Sequence, residues 1–120
     1  MYSEKLLDHF EHPRNVGEIA NPDAAAQVEN PVCGDIMQLT LRVRDGRVEE
    51  ARYRTRGCVA AIACGSAVTE LATGKTFDEA CTVSREDVIA AVGGLRNESN
   101  HASHLAIDAL RAALQQLKQS

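Results

Sequence analysis

The run Ile36-Met37-Gln38-Leu39-Thr40-Leu41-Arg42-Val43-Arg44-Asp45-Gly46-Arg47-Val48-Glu49-Glu50-Ala51-Arg52-Tyr53-Arg54-Thr55-Arg56 reads as strand, tight turn, strand. Met37, Leu39, Leu41 and Val43 alternate with polar neighbours, which is the period of a half-buried strand, and Asp45-Gly46 supplies the bend. A hairpin returns the chain to its starting point. The two segments flanking it, Pro31-Val32-Cys33-Gly34-Asp35 and Thr55-Arg56-Gly57-Cys58, therefore meet at its open end. Each thiol stands beside a glycine that lets backbone or metal approach closely.

The register can be weighed within the run itself. A two-residue Asp45-Gly46 turn sets Cys33 opposite Cys58, but it also places Leu39 and Leu41 over Arg52 and Glu50. A three-residue loop, Arg44-Asp45-Gly46 with Gly46 in a left-handed bulge, instead pairs Leu39 with Ala51 and Met37 with Tyr53. Matching apolar with apolar favours the second register. In both, the thiols share one end of the sheet.

Outward from the hairpin, Ala24 to Asn30 reads as a brief edge strand, preceded by a loop over Arg14 to Asp23. Ser3 to His12 has the signature of a short helix, capped by Ser3, with Leu6, Leu7 and Phe10 on one face and Pro13 as the stop. After Cys58 the period lengthens: Ala60, Ala61, Cys64, Val68 and Leu71 recur at helical spacing up to Gly74. Two short helices follow, Thr76 to Cys81 and Ser84 to Val92, the latter ended by Gly93-Gly94. A long final helix spans Asn100 to Lys118, with Ile107, Leu110, Leu114 and Leu117 as its buried stripe and His104, Asp108, Arg111, Gln115 and Lys118 opposite. This order predicts one α+β domain over residues 1–120, a small three-stranded antiparallel sheet with helices on one face.

Composition narrows the function classes. With 13 basic against 17 acidic residues, few aromatics and no Trp, the chain is unsuited to general nucleic-acid binding. No apolar run approaches the roughly 20 residues that span a bilayer, and nothing near Met1 resembles a secretory signal. A cytoplasmic, reducing setting is expected, where cysteines bind metal or react more often than they form bridges. The arginines of the hairpin, Arg42, Arg44, Arg47, Arg52, Arg54 and Arg56, read as a solvated face with partners such as Glu49 and Glu50, with an acidic protein partner as the alternative.

The chemistry-bearing candidates are Cys33 and Cys58. Cys58 immediately precedes a helix, whose first-turn N–H groups favour a thiolate and predict a lowered pKa. Asp35 lies two residues from Cys33, so both side chains point to one face of an extended segment. Cys64 and Cys81 read as packing residues, while His9, His12 and His104 read as solvated. His101, opening the last helix, is a candidate third ligand.

Taken together these segments resemble the iron–sulfur cluster assembly scaffold family of the IscU/NifU-N-terminal type. Tyr2-Ser3-Glu4-Lys5, Asp8-His9 and Pro13-Arg14-Asn15-Val16-Gly17 reproduce its opening. Cys33-Gly34-Asp35-Ile36-Met37, Ala51-Arg52, Gly57-Cys58 and Ala61-Ile62-Ala63 reproduce its two cysteine motifs, and Thr69-Glu70, Gly74-Lys75 and Glu79-Ala80 follow in step. The resemblance implies an IscU/SufE-like fold and a carrier, not an enzyme, that holds a transient [2Fe–2S] cluster. It implies a cysteine desulfurase as sulfur donor and apo iron–sulfur proteins as recipients, with zinc admitted by the same ligands. Residue by residue it implies Cys33, Cys58 and His101 as ligands and Asp35 as the acidic residue that loosens the cluster.

The chain departs from that pattern at Ala102, where the family has a third cysteine, the expected sulfur receiver. Gly94 to Ser99 also lacks the Leu-Pro-Pro-Val-Lys type segment that recruits a dedicated Hsp70 chaperone, and the insertion of the SufU branch is missing. The usual persulfide route and chaperone-assisted release are both put in question. Two other readings stay open: a zinc-bound sulfur acceptor working with a desulfurase, and a regulatory relative that assembles nothing. Asp35, Cys33, Cys58 and His101 remain a four-donor set suited to a mixed-ligand cluster or to tetrahedral zinc.

Overall fold

A computed structural model describes residues 2–32 and 34–119. The elements are α1 (Glu4–Glu11), β1 (Ala24–Glu29), β2 (Ile36–Arg44), β3 (Arg47–Arg56), α2 (Val59–Ala72), α3 (Phe77–Cys81), α4 (Arg85–Ala91) and α5 (Asn100–Gln119), with a 3-10 turn at Asn97–Ser99. The three strands form an antiparallel sheet in the order β1-β2-β3. This is the α+β arrangement read from the hydrophobic periods.

The hairpin turn corrects the expected register. Asp45 (φ 54°) and Gly46 (φ 75°) form a two-residue turn with both central residues left-handed, the geometry that matches strand twist. It pairs Arg44 with Arg47 and Val43 with Val48. A bulge at Glu49 then shifts the pairing, so Arg42 meets Glu50, Leu41 meets Ala51 and Leu39 meets Tyr53. The apolar faces coincide as anticipated, but an extra residue in β3 achieves it instead of a longer loop.

Met37, Leu39, Leu41, Ala51 and Tyr53 are buried on one face of the sheet. Ala24, Ala26 and Val28 of β1 continue that face, opposite Leu41, Leu39 and Met37. Onto it packs α2, which is enclosed on nearly all sides: Ala60, Ala61, Ala63 to Thr69 and Ala72 are all buried. The expected single apolar stripe is thus widened to burial almost all round the helix, Glu70 being exposed, as befits a central element. Its small residues permit close approach. A Cβ on Gly65 would stand 2.4 Å from the Tyr53 ring. The Tyr53 hydroxyl donates to the Ile62 carbonyl at 2.7 Å, and burial pushes its pKa up to about 12.

The stripe of α5 is as expected, with Ile107, Leu110 and Leu114 buried and His104, Asp108, Arg111, Gln115 and Lys118 exposed. Capping follows the sequence. Ser3 accepts from the Leu6 amide, and Ser84 forms a reciprocal capping box with Asp87, as Thr76 does with Glu79. The free edge of β3 is covered twice, by Asn15 to Gly17 bonding to Tyr53 and by Gly74 and Lys75 bonding to Val48. Among the arginines of the outer face, Arg44 pairs with Glu49, Arg52 with Glu50 and Arg54 with Glu18, while half-buried Arg42 donates to the Ala20 carbonyl.

Histidine 9 is not solvated. It shares the inner face of α1 with Leu6 and is buried, its Nδ1 lying 2.8 Å from Ser66 Oγ on α2 and its Nε2 3.7 Å from Glu70. The Arg14 amide donates to the same Ser66 hydroxyl at 2.9 Å, and Asn15 donates to Thr69 Oγ1 at 3.1 Å. This polar seam ties α1 to α2. Its sequence signal is the run of polar residues Ser66, Thr69 and Glu70 within an otherwise apolar helix. Cys64 is buried as expected, whereas Cys81 is exposed at the end of α3 and packs against nothing that would hide it.

Candidate metal centre

The open end of the hairpin, the start of α2 and the start of α5 converge. The connection from β1 to β2 is closed on itself: Gly34 N–H donates to the Asn30 carbonyl at 2.7 Å and Asn30 N–H to the Asp35 carbonyl at 2.8 Å. Gly34 makes this turn with φ 75°, which a side chain would disfavour. Asp35 leaves it buried and directed inward. Cys58 sits at the N-cap of α2, two residues beyond the last strand pair, Ile36 with Arg56. His101 lies in the first turn of α5, whose start is held to α4 by Arg85 Nε donating to Ser103 Oγ at 3.2 Å while Ser103 donates to the Asn100 carbonyl.

One ligand atom from each of Asp35, Cys58 and His101 lies within 4.8 Å of the other two. His101 Nε2 is 3.7 Å from Cys58 Sγ and 3.5 Å from Asp35 Oδ2. Two ligands on a tetrahedral centre with ordinary metal–nitrogen, metal–oxygen and metal–sulfur bond lengths stand about 3.4–3.6 Å apart. The two distances from His101 are therefore already close to edges of a coordination tetrahedron, and the third pair lies within 4.8 Å. Asp35 Oδ2 is buried and makes no hydrogen bond among the described residues. Its neighbour is His101 Nε2 at 3.5 Å, and a buried carboxylate oxygen without a closer donor leaves room for a cation between the two.

Gly57 makes this possible in a way not read from the sequence. A Cβ there would stand 2.7 Å from Asp35 Cγ and 2.9 Å from each carboxylate oxygen. The glycine before the thiol admits the neighbouring carboxylate.

The Cys58 thiol departs from expectation. The amides of Ala60 and Ala61 do favour its thiolate, but burial outweighs them and the nearby Asp35 carboxylate adds to it, so the pKa is raised. A cation entering the site would reverse that balance, since it compensates both charges. Cys64 lies in the core, where burial, with Cys58 adding to it, drives its thiol up to about 12. His104 projects to solvent, and Ala102 is wholly buried beside His101. Of the four donors singled out in the sequence, three are brought together, and Cys33 lies outside the described residues. No helix among the described residues is long and apolar enough to cross a membrane.

Comparison with known proteins bears on this site. The chain matches the NifU-like N terminal domain family over residues 1–120. It is 50% identical over 114 residues to the iron-sulfur cluster assembly scaffold protein IscU 1 of Archaeoglobus fulgidus, covering 95% of this chain and 74% of that protein. It is 44% identical over 121 residues to the iron-sulfur cluster assembly scaffold protein IscU of Escherichia coli strain K12, covering 98% and 94%. The crystal structure of a NifU-like N-terminal protein from Brucella abortus superposes with a TM-score of 0.83 at 20% identity, over 98% of this chain and 94% of that one. That likeness speaks for the fold.

Proposed function

Because the chain belongs to the NifU-like N terminal domain family, we propose that it is an iron–sulfur cluster assembly scaffold, which holds a nascent cluster as cargo and passes it on. The observation that carries this reading at the level of chemistry is the spacing of Asp35, Cys58 and His101, with a buried carboxylate oxygen among them that makes no hydrogen bond to the described residues. Cys33, in the sequence beside Gly34 and Asp35, is the fourth donor of the set.

The donor set suits a cargo that must leave. Two thiolates and an imidazole bind iron well, as mixed nitrogen and sulfur ligands do in known [2Fe–2S] centres. The carboxylate is a harder, more weakly matched donor for a cluster, and it gives the shell one bond that exchanges readily. Partial exposure of Cys58 and His101 leaves a path for entry and departure. Sulfur comes from a cysteine desulfurase and the products are apo-proteins that require clusters. The same four donors also suit zinc. With Ala102 in place of a further thiol, sulfur is received on Cys33 or Cys58.

Hand-over tests this reading. The protein loaded anaerobically with iron and sulfide is mixed with an apo-ferredoxin, and the two are separated by ion exchange. The expected result is a ferredoxin spectrum in the acceptor and loss of iron from the donor. Iron that stays with the donor, or that reaches the acceptor no faster than iron and sulfide free in solution, would refute the carrier role.

A further inference from the structure

At the opposite end of the hairpin from the metal-binding candidates, two cavities of about 340 and 350 Å³ adjoin, sharing Phe77 and Lys118 in their walls. Val43, Val48 and Leu117 line one, and Leu114 lines the other. Gly46 and Cys81 complete the small, uncharged part of the rim.

The charge around this apolar floor is one-sided. Among the described residues, Arg47, Arg111 and Lys118 are the charged residues of the two walls, and no Asp or Glu lines either. That is a local reversal in a chain of net charge −4. Arg47 shares its charge with Glu79 at 3.6 Å, both side chains being more than half exposed. Arg111 and Lys118 are exposed on α5 and have no ion-pair partner among the described residues.

We infer that this groove is a docking surface for an acidic, amphipathic segment of a protein partner. Apolar side chains on one face of the segment occupy the two cavities, and Asp or Glu residues beside them meet Arg111 and Lys118. Electrostatic complementarity of this kind selects the partner and speeds encounter, while the apolar floor supplies most of the burial. The placement has a consequence for the carrier. Strand β2 separates the groove from the site by roughly 26 Å, from its 9 residues at about 3.3 Å per step. A partner tethered at the hairpin tip leaves Asp35, Cys58 and His101 uncovered for loading or release. The inference stands on the groove alone and does not depend on what the site carries.

The experiment uses the full chain and a phage-displayed library of random segments of about sixteen residues, long enough for about four helical turns. The selected segments are expected to carry apolar residues at helical spacing with Asp and Glu beside them. A fluorescein-labelled synthetic copy should bind with an affinity that falls with salt, and at least about tenfold more weakly to the Arg111→Glu, Lys118→Glu double variant. That variant alters exposed side chains only, and an unchanged melting temperature confirms its fold. Amide NMR shifts should fall at Phe77, Cys81, Arg111 and Leu114 and spare Cys58 and His101. No enrichment, enrichment of neutral or basic segments, or indifference to the charge reversal would overturn the inference. So would concentration-dependent shifts of the same amides without peptide, which would make the occupant a second copy of this chain.

Discussion

Replacing Gly57 by alanine isolates the role of Asp35 in the site. The added Cβ meets Asp35 Cγ at 2.7 Å, and ordinary contact begins at 3.4 Å, so the carboxylate must retreat by about 0.7 Å. Gly57 is not in the left-handed region, which leaves the clash as the effect of the substitution. Overpacking of this kind costs about 1–3 kcal/mol of stability. The carboxylate oxygen now 3.5 Å from His101 Nε2 would leave its place on the coordination tetrahedron. Ligand positions must hold to a few tenths of an ångström. Affinity for a divalent metal should fall about 10- to 100-fold, or roughly 1.4–2.7 kcal/mol. The assay is anaerobic cobalt(II) titration against a chelator, read by the visible bands of the bound ion. In an Asp35→Ala background the same Gly57→Ala change should cost little, since nothing is left to displace. An equal loss in both backgrounds would refute the claim that Gly57 acts through Asp35, and no loss in either would refute the clash itself.

Three further outcomes follow from the same contacts. Asp35→Ala should lower the pH at which Cys58 reacts with iodoacetamide, measured with Cys33 and Cys81 changed to serine, because Asp35 adds to the burial that raises this thiol; an unchanged or higher midpoint contradicts it. Burial, and next Arg14, holds the His9 pKa below its ordinary value. The unfolded chain therefore binds the proton more readily, so the His9 contribution is full above about pH 6.5 and declines as pH falls below it. Thermal unfolding from pH 7.5 down to about 5.5 should show a decline that His9→Gln reduces, and an identical slope in the two proteins would contradict it. Ala102→Cys should leave iron loading within about twofold of the parent, because Ala102 is fully enclosed and the proposed donor set already numbers four; a several-fold gain would show that the site lacks a ligand.

Much of this architecture is legible before any coordinates. Strand alternation from Met37 to Val43 and the α5 stripe from Ile107 to Leu117 are strong periodic signals, and Ser3, Thr76 and Ser84 mark helix starts by their capping chemistry. The hairpin register was less accessible. Registers that differ by two residues keep the same faces together, so hydrophobic matching cannot tell a three-residue loop from a tight turn followed by a bulge at Glu49. His9 escaped for another reason: a polar residue on an inner helix face is satisfied only by a partner far along the chain, here Ser66. At the site, the hairpin accounts for the nearness of Asp35 and Cys58, whereas His101 arrives through the packing of α5 on the sheet, which no local spacing encodes. The direction of the Cys58 shift likewise depends on burial and on Asp35, neither visible from a helix start alone.

Iron content after anaerobic reconstitution with ferrous iron and sulfide is the most direct test of whether these side chains hold one guest. The parent protein should retain iron and a visible charge-transfer spectrum after desalting, Cys58→Ala should lose both, and Cys64→Ala should keep them. A colourless parent without iron, or a Cys58→Ala variant that loads as fully as the parent, would contradict the account.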